Sequence, residues 1–243
     1  MKILVISDIH ANLTALKAVL NDAGDFDATW CLGDVVGYGP DPEECVHRIR
    51  SLPNLTCLMG NHDAATLDLI DLDSFNHEAR LAVLWTRKQV SNHSLNFLRA
   101  QPEATRLNDS VTLAHGSPRA PLWEYILERI SAQINFDYFD TPFCFVGHTH
   151  QPIIYQQDTP GIRPRAFEMQ ANSTIALKPR AIINPGSVGQ PRDRDPRAAY
   201  GILDDQTFEW NFRRVAYDVE TVQDRMRALN LPEKHIQRIA SGW

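Results

Sequence analysis

Short apolar runs alternate with helical periodicity over the first 60 residues of the chain. The runs at residues 2–7, 28–34 and 55–60 are typical of β-strands. Between them, residues 12–22 carry apolar side chains at helical spacing, and residues 42–52 predict a helix with Asp41 as N-cap and Pro42 at its first position. This β-α-β-α-β order predicts a largely parallel sheet with right-handed crossovers.

Residues 64–106 change to a helical pattern whose apolar positions predict two helices. No candidate ligand lies there at a clear strand end. We interpret this segment as a helical insertion beside the site, acting as a lid or a recognition element, and extra cover for the core is the alternative. Strands are predicted again at residues 110–116 and 143–150, with a helix near residues 123–133 between them.

After residue 150 the pattern becomes a series of short apolar runs separated by turn residues, which predicts antiparallel hairpins up to about residue 217. Two helices are predicted at the end of the sequence, over residues 219–229 and from Pro232 onward. The sequence contains no internal repeat and no long linker. We therefore expect one domain over residues 1–243.

Composition excludes few functions but sets limits on partners. The formal net charge is −6, which argues against broad electrostatic capture of nucleic acid or a membrane surface, although local cations could still hold an anionic substrate. The apolar run at residues 3–6 is too short for a secretory signal, so a cytoplasmic location is the default expectation. The four cysteines lack paired spacing, and we expect buried free thiols.

Potential metal ligands follow the predicted strands at their carboxyl ends, where open α/β sheets build reactive sites. Asp8 and His10, and likewise His148 and His150, are separated by one residue and would point to the same side of an extended backbone. Each motif alone is more often a cap, a turn or a hydrogen-bonded polar residue. The set is specific, and its members are Asp8, His10, Asp34, Asn61, His115, His148 and His150.

The tetrapeptide at residues 60–63 carries the sharpest signal. Asn61 offers a neutral oxygen ligand, and Gly60 permits a tight turn after the strand. We expect His62 to point toward a substrate as a general acid, with Asp63 orienting its ring and favouring its protonated form.

The number of donors favours a catalytic site over a structural one. With Asp34 bridging two ions, the seven residues supply eight protein–metal bonds, four to each ion, and leave positions open for water and substrate. Imidazole, carboxylate and carboxamide donors without thiolate suit manganese, iron, zinc, cobalt or nickel.

The order of these motifs resembles that of the calcineurin-like metallophosphoesterase superfamily, most closely its small bacterial and archaeal members of the phosphodiesterase type. The matching elements are Asp8-x-His10, Gly33-Asp34, Gly60-Asn61-His62-Asp63, His115-Gly116 and Gly147-His148-x-His150. The resemblance runs from Lys2 to about Gly189 and covers neither residues 64–106 nor the segment after Tyr217.

The resemblance implies an α/β (α+β) fold, a four-layer αββα sandwich of two mixed β-sheets flanked by helices. It also implies two divalent metal ions, with manganese the first candidate. One ion would be bound by Asp8, His10, Asp34 and His150, and the other by Asp34, Asn61, His115 and His148. The expected activity is hydrolysis of phosphodiesters or phosphomonoesters by direct attack of a hydroxide that bridges the metals.

The expected partner is a small phosphorylated substrate, with a nucleotide among the candidates. Asn12 and Arg192 are candidate substrate contacts, and Arg194 and Arg197 could join Arg192 in holding a second phosphate or a carboxylate. A solvated basic loop paired with Asp193 and Asp195 is the alternative for these arginines. A non-catalytic interaction scaffold, a phosphoprotein phosphatase and a nuclease are the competing functions, and the acidic net charge weakens the last.

Overall fold

The computed structural model describes residues 1–243. Its strands are β1 (Lys2–Ile6), β2 (Ala28–Cys31), β3 (Leu55–Cys57), β4 (Ala104–Arg106), β5 (Val111–Ala114), β6 (Phe143–Val146), β7 (Ile153–Gln156), β8 (Arg165–Glu168), β9 (Ser173–Ala176), β10 (Ala181–Asn184), β11 (Ala198–Asp204) and β12 (Glu209–Val215). Its α-helices are α1 (Leu13–Ala23), α2 (Pro42–Arg50), α3 (Asn61–Thr66), α4 (His77–Gln89), α5 (Asn92–Arg99), α6 (Arg129–Asn135), α7 (Val219–Ala228) and α8 (Glu233–Ser241).

The strands form two six-stranded sheets, and each sheet contains both parallel and antiparallel pairs. The first has the order β3-β2-β1-β11-β12-β9 and the second β4-β5-β6-β10-β7-β8. β1 is parallel to β2 but antiparallel to β11. The predicted parallel unit of β1, β2 and β3 is therefore correct, but it occupies only half of a mixed sheet, because distant strands complete it.

Alternating side chains of β1 explain how the layers pack. Ile3 and Val5 face the core between the two sheets, together with Trp30, Phe145 and Trp210. Leu4 and Ile6 face the opposite side, where α1 and α2 cover the first sheet. On the far side of the second sheet, a smaller core includes residues of α6. This arrangement confirms the predicted four-layer sandwich.

Two local predictions were wrong or incomplete. The helix predicted near residues 123–133 begins only at Arg129, because Glu124 accepts hydrogen bonds from Ser117 (2.6 Å) and Asn135 (2.9 Å) and holds the preceding loop in an irregular conformation. Asp41 does precede α2, but its carboxylate accepts from the backbone of Leu13 at 3.3 Å and not from α2 itself.

Residues 61–99 contain three α-helices and a short 3-10 helix at Leu72–Ser74, and the segment that follows returns to the second sheet as β4. α4 packs against Tyr38 through Ala79 and Ala82. The C-terminal helices α7 and α8 form a hairpin with its own apolar cluster, against which Trp85 of α4 packs. None of the helices combines the length and the apolar composition needed to cross a membrane. The four cysteines are free and buried, as predicted.

Candidate metal centre and active site

Donor atoms from five loops converge at the carboxyl ends of β1, β2, β3, β5 and β6. Asp8, His10, Asp34 and His150 form one group, and Asp34, His115 and His148 form another, with the donor atoms of each group within 4.8 Å of one another. Asn61 joins the second group, since its Oδ1 lies 3.2 Å from Nε2 of His115. The structure therefore brings together all seven residues that the sequence singled out, and Asp34 belongs to both groups.

Left-handed backbone geometry aims most of these donors. Positive φ angles occur at Asp8 (53°), His10 (47°), Asp34 (52°), His148 (64°) and His150 (59°). The extended backbone expected for Asp8-x-His10 and for His148-x-His150 was therefore wrong. His148 and His150 belong to different groups of donors. Such residues cost about 1–3 kcal/mol each and persist where the surroundings enforce them.

Backbone hydrogen bonds between the loops enforce this geometry. The amide of Asp8 donates to Gly33 at 3.0 Å, and that of His10 donates to Asp34 at 2.9 Å. Gly33 itself has a φ of 100°, and a Cβ there would lie 2.8 Å from the backbone nitrogen of Gly60 and from Nδ1 of His115. Glycine at this position is thus what lets the β2 and β3 loops approach closely enough to share Asp34.

The histidine hydrogen bonds leave unprotonated nitrogens facing one another. Nδ1 of His10, His115 and His150 contacts the carbonyl oxygens of Val36 (3.3 Å), Leu32 (2.7 Å) and Gln190 (2.5 Å), respectively. A carbonyl only accepts, so each Nδ1 carries the proton and each neutral ring presents a lone pair at Nε2. Nε2 of His10 and of His150 are nevertheless only 3.0 Å apart.

Acceptors also crowd the second group. Nε2 of His115 faces Oδ1 of Asn61 and lies 3.5 Å from Oδ2 of Asp34, while Nε2 of His148 is buried without any hydrogen-bond partner. All seven side chains are essentially buried, so water does not satisfy them. In their neutral forms these rings present converging lone pairs that fit divalent cations, and the donor chemistry passes this test without a thiolate.

The pKa values of the cluster also indicate that a positive charge is stabilised there. Burial lowers the pKa of His115, but the carboxylate of Asp34 reverses the shift and raises it to about 9. Burial opposes ionisation of Asp34, yet its neighbours, His115 first, hold its pKa well below its usual range. Burial lowers the pKa of His148 to about 3. The raised pKa of His115 therefore reflects the negative charge of Asp34 at the place where a cation would bind.

His62 lies beside the cluster and not within it. Its ring contacts those of Tyr38 (centroids 4.2 Å apart), His10 (4.9 Å) and Phe75 (5.0 Å). Nδ1 is buried without a partner against Gly37, so Nε2 is the nitrogen left to reach a bound substrate. Burial lowers the pKa of His62 to about 4, which makes the ring neutral until an anion approaches.

The expected contact between Asp63 and the His62 ring is absent. The Asp63 carboxylate instead accepts from the backbone amides of Gly60 (3.0 Å), Val35 (3.3 Å) and Val36 (3.1 Å). Asp63 therefore holds the β2 and β3 loops together, and the neighbouring aromatic rings orient His62. Sequence adjacency suggested the wrong partner because helix α3 begins at Asn61 and turns consecutive side chains apart.

The candidate substrate contacts separate into different roles. Asn12 caps α1, since its Oδ1 accepts from Ala15 at 3.0 Å, and its Nδ2 donates to Gly189 at 3.1 Å. Arg197 pairs with Asp195, and Arg194 lies over the Trp243 ring at 5.0 Å. Only Arg192 reaches the centre, where its Cζ is 5.9 Å from the Tyr38 ring centroid.

Three further groups near the centre had no motif to reveal them. Tyr125 stacks on His148 with centroids 4.0 Å apart, and His235 of α8 contacts Tyr38 at 4.3 Å. Arg238 follows one turn after His235 on the same helix. The apolar and basic pattern of α8 predicted only a terminal helix, so no sequence signal could have placed these residues beside the strand-end loops.

His235 makes the stability of the protein depend on pH. Burial lowers its pKa to about 3, against about 6.5 in an unfolded chain, so only the unfolded chain takes up a proton as the pH falls below about 6.5. Its contribution to stability is complete above that pH and is lost on acidification. We expect His235→Phe to reduce the loss of unfolding free energy between pH 7 and pH 5 by about 2 kcal/mol, measured by urea denaturation. Equal losses in variant and wild type would contradict this expectation.

The fold and these converging donors define a class of protein. A family model for the calcineurin-like phosphoesterase superfamily domain matches residues 1–207, and the chain belongs to that superfamily. The resemblance inferred from the sequence motifs is thereby confirmed. α7 and α8 lie outside the matched residues.

Relatives with matching length support this membership. An uncharacterized protein of Methanocaldococcus jannaschii is 38% identical over 246 residues, which cover 99% of this chain and 98% of that protein. The crystal structure of a metallophosphoesterase from Sphaerobacter thermophilus has 45% sequence identity and a TM-score of 0.92, covering 100% of this chain and 99% of its own.

A more distant similarity joins the chain to an enzyme of stated activity. The symmetrical bis(5'-nucleosyl)-tetraphosphatase of Pectobacterium carotovorum subsp. carotovorum is 30% identical over 131 residues, which cover 51% of this chain and 46% of that enzyme. This chain thus spans about half the length of the tetraphosphatase that it matches.

Proposed function

We propose that the protein is a metal-dependent phosphoesterase that hydrolyses phosphodiesters, phosphomonoesters or both. The observation that carries the proposal is the sharing of Asp34 by two groups of buried donor atoms that converge. Superfamily membership supports hydrolysis of a phosphate ester over the alternative of a non-catalytic scaffold. The set of intact donors also weighs against that alternative, because a scaffold has no need of strained ligand loops.

In this proposal two divalent ions bind, with manganese as the first candidate. Asp8, His10, Asp34 and His150 would hold one ion, and Asp34, Asn61, His115 and His148 the other. Ions bound there would lower the pKa of a shared water so that it can attack phosphorus, and would draw charge from the phosphoryl oxygens.

The remaining roles belong to side chains around the donors. His62 would give a proton from Nε2 to the departing oxygen, because this nitrogen is free of protein partners and the ring lies beside His10. Asp63 would act at a distance by fixing the loops that carry Asp34 and Asn61. Arg192 would offer its guanidinium to a substrate oxygen.

We further propose that residues 1–243 form a single metallophosphoesterase domain, in which the helical segment at residues 64–106 contributes to substrate recognition. Phe75 from this segment touches His62, and α4 packs on Tyr38. The matched tetraphosphatase adds support for a nucleotide as the phosphorylated substrate, although the similarity covers only half of each chain.

Removal of metal tests the proposal directly. Protein treated with a chelator should lose hydrolysis of bis(4-nitrophenyl) phosphate, and added Mn²⁺ should restore it. Mn²⁺ should also raise the thermal midpoint, since a ligand at about 100 times its Kd adds about 2.7 kcal/mol of stability. Asp224→Asn, on the exposed face of α7, is the control and should respond like the wild type. Undiminished hydrolysis by the chelator-treated protein would contradict a metal-dependent mechanism.

A further inference from the structure

Two arginines beside the metal centre form no close ion pair with a carboxylate. The guanidinium of Arg192 donates to the side-chain oxygen of Gln190 at 3.1 Å and lies over the Tyr38 ring, and its Nε is buried without a partner. Arg238 forms no ion pair, and nearby Glu78 is engaged by Lys234 at 3.9 Å. By contrast, Arg197 in the same loop as Arg192 pairs closely with Asp195.

Both arginines lie near Tyr38, since Arg192 is over its ring at 5.9 Å and Arg238 is one helical turn after His235, whose ring contacts Tyr38 at 4.3 Å. Burial lowers the pKa of Arg238, and the charge of Arg192 lowers it further. Partly buried like charges are costly unless an anion lies between them. Asp8, whose pKa the charge of Arg192 lowers, belongs to the metal-binding donors, so an anionic ligand is the candidate for the space between the two arginines.

Two tyrosines complete the surroundings of these arginines. Arg192 lies over the Tyr38 ring, and Tyr125 stacks on His148 with ring centroids 4.0 Å apart. The phenol groups of both tyrosines can donate hydrogen bonds. Together with two guanidinium forks, they form the kind of donor set that binds phosphate oxygens.

The position of this donor set relates it to the reaction. Tyr38 lies between His62, at 4.2 Å, and His235 of α8, at 4.3 Å. In the proposed function His62 gives its proton to the departing oxygen. A group that extends from that oxygen past Tyr38 would reach α8 and Arg238.

We propose that Arg192 and Arg238, with the hydroxyl groups of Tyr38 and Tyr125, form a second anion subsite that binds a phosphate carried by the leaving group. The inference rests on the proposed phosphoesterase function and narrows its substrates to molecules with a second phosphate beyond the scissile one, such as a phosphoanhydride. Arg238 is the specificity-determining residue, because it lies outside the donor loops and outside the family-matched residues.

Methylphosphonate and methylenediphosphonate provide a matched pair of probes, since they differ by one phosphonate group. Each is measured as an inhibitor of bis(4-nitrophenyl) phosphate hydrolysis in excess Mn²⁺. We expect Arg238→Gln to weaken inhibition by methylenediphosphonate about tenfold and to leave inhibition by methylphosphonate unchanged. Arg238→Lys should recover part of the loss, because it keeps the charge but not the planar fork.

Arg227→Gln is the matched control, because it removes a charge from the neighbouring helix α7 where Arg227 pairs with Asp224 at 3.0 Å. Both probes should inhibit this variant as strongly as they inhibit the wild type. Equal inhibition of wild type and Arg238→Gln by methylenediphosphonate would overturn the subsite.

Calorimetry on the metal-free protein separates this inference from the proposed function. Methylenediphosphonate should bind more weakly to Arg238→Gln than to wild type even without metal. If no phosphate ester is hydrolysed under any condition but this difference remains, the phosphoesterase proposal fails and the anion subsite stands. If hydrolysis is intact and the difference is absent, only the subsite fails.

Discussion

Asp34→Asn is expected to lower hydrolysis of bis(4-nitrophenyl) phosphate by about a thousandfold or more and to reduce bound metal at the same time. Asp34 is common to both donor groups, its Oδ2 lies 3.6 Å from Nε2 of His10 and 3.5 Å from Nε2 of His115, and no other carboxylate is shared in this way. An amide keeps the shape but removes the charge that a bridging ligand supplies. Metal per chain, measured by plasma mass spectrometry, should fall together with kcat.

Asp8→Asn is the informative comparison for this prediction. Asp8 belongs to one group only, so its loss should weaken one ion more than the other and leave metal content above that of Asp34→Asn. Retention of full metal and activity in Asp34→Asn would refute the shared-ligand arrangement.

His62→Asn is expected to lower kcat about a hundredfold or more on an alkyl phosphodiester, with metal content unchanged. An alkoxide needs a proton to depart, whereas 4-nitrophenolate does not, so the loss on bis(4-nitrophenyl) phosphate should be below about tenfold. Because burial holds the pKa of His62 at about 4 before substrate binds, the protonated form is scarce at high pH. The advantage of wild type over the variant should therefore shrink as pH rises.

His93→Asn on the exposed surface of α5 serves as the control and should change neither rate. Equal losses on both substrates, accompanied by loss of metal, would assign His62 a structural role instead. Full activity of His62→Asn on the alkyl ester would remove it from the reaction altogether.

Local patterns in the sequence were sufficient to predict the strands that carry the site. The apolar runs before Asp8, Asp34, Asn61, His115 and His148 became strands β1, β2, β3, β5 and β6, because β-branched and apolar residues that end at glycine or a polar residue have few other stable conformations. The helix predicted to start near Trp123 does not form there, because tertiary contacts override the local pattern. Tyr125 stacks on His148 instead of lying on a helix face, and Glu124 holds the loop through side-chain hydrogen bonds.

Local sequence patterns also did not predict which strands pair with each other. β11 lies beside β1 in antiparallel orientation although about 190 residues separate them, and this pairing turns a parallel unit into half of a mixed sheet. Nothing in either strand specifies its partner, since both are simply apolar and extended.

By itself, the sequence determined which side chains can bind metal and that they occur at strand ends, because donor chemistry and apolar periodicity are properties of short segments. Only the tertiary structure decided the backbone geometry that aims those donors. Left-handed turns at His148 and His150 accompany their placement in different groups, and Asp63 holds loops rather than the ring beside it. It also brought Tyr125 and Arg238 to the centre, because contacts between distant segments depend on how layers pack and not on any motif.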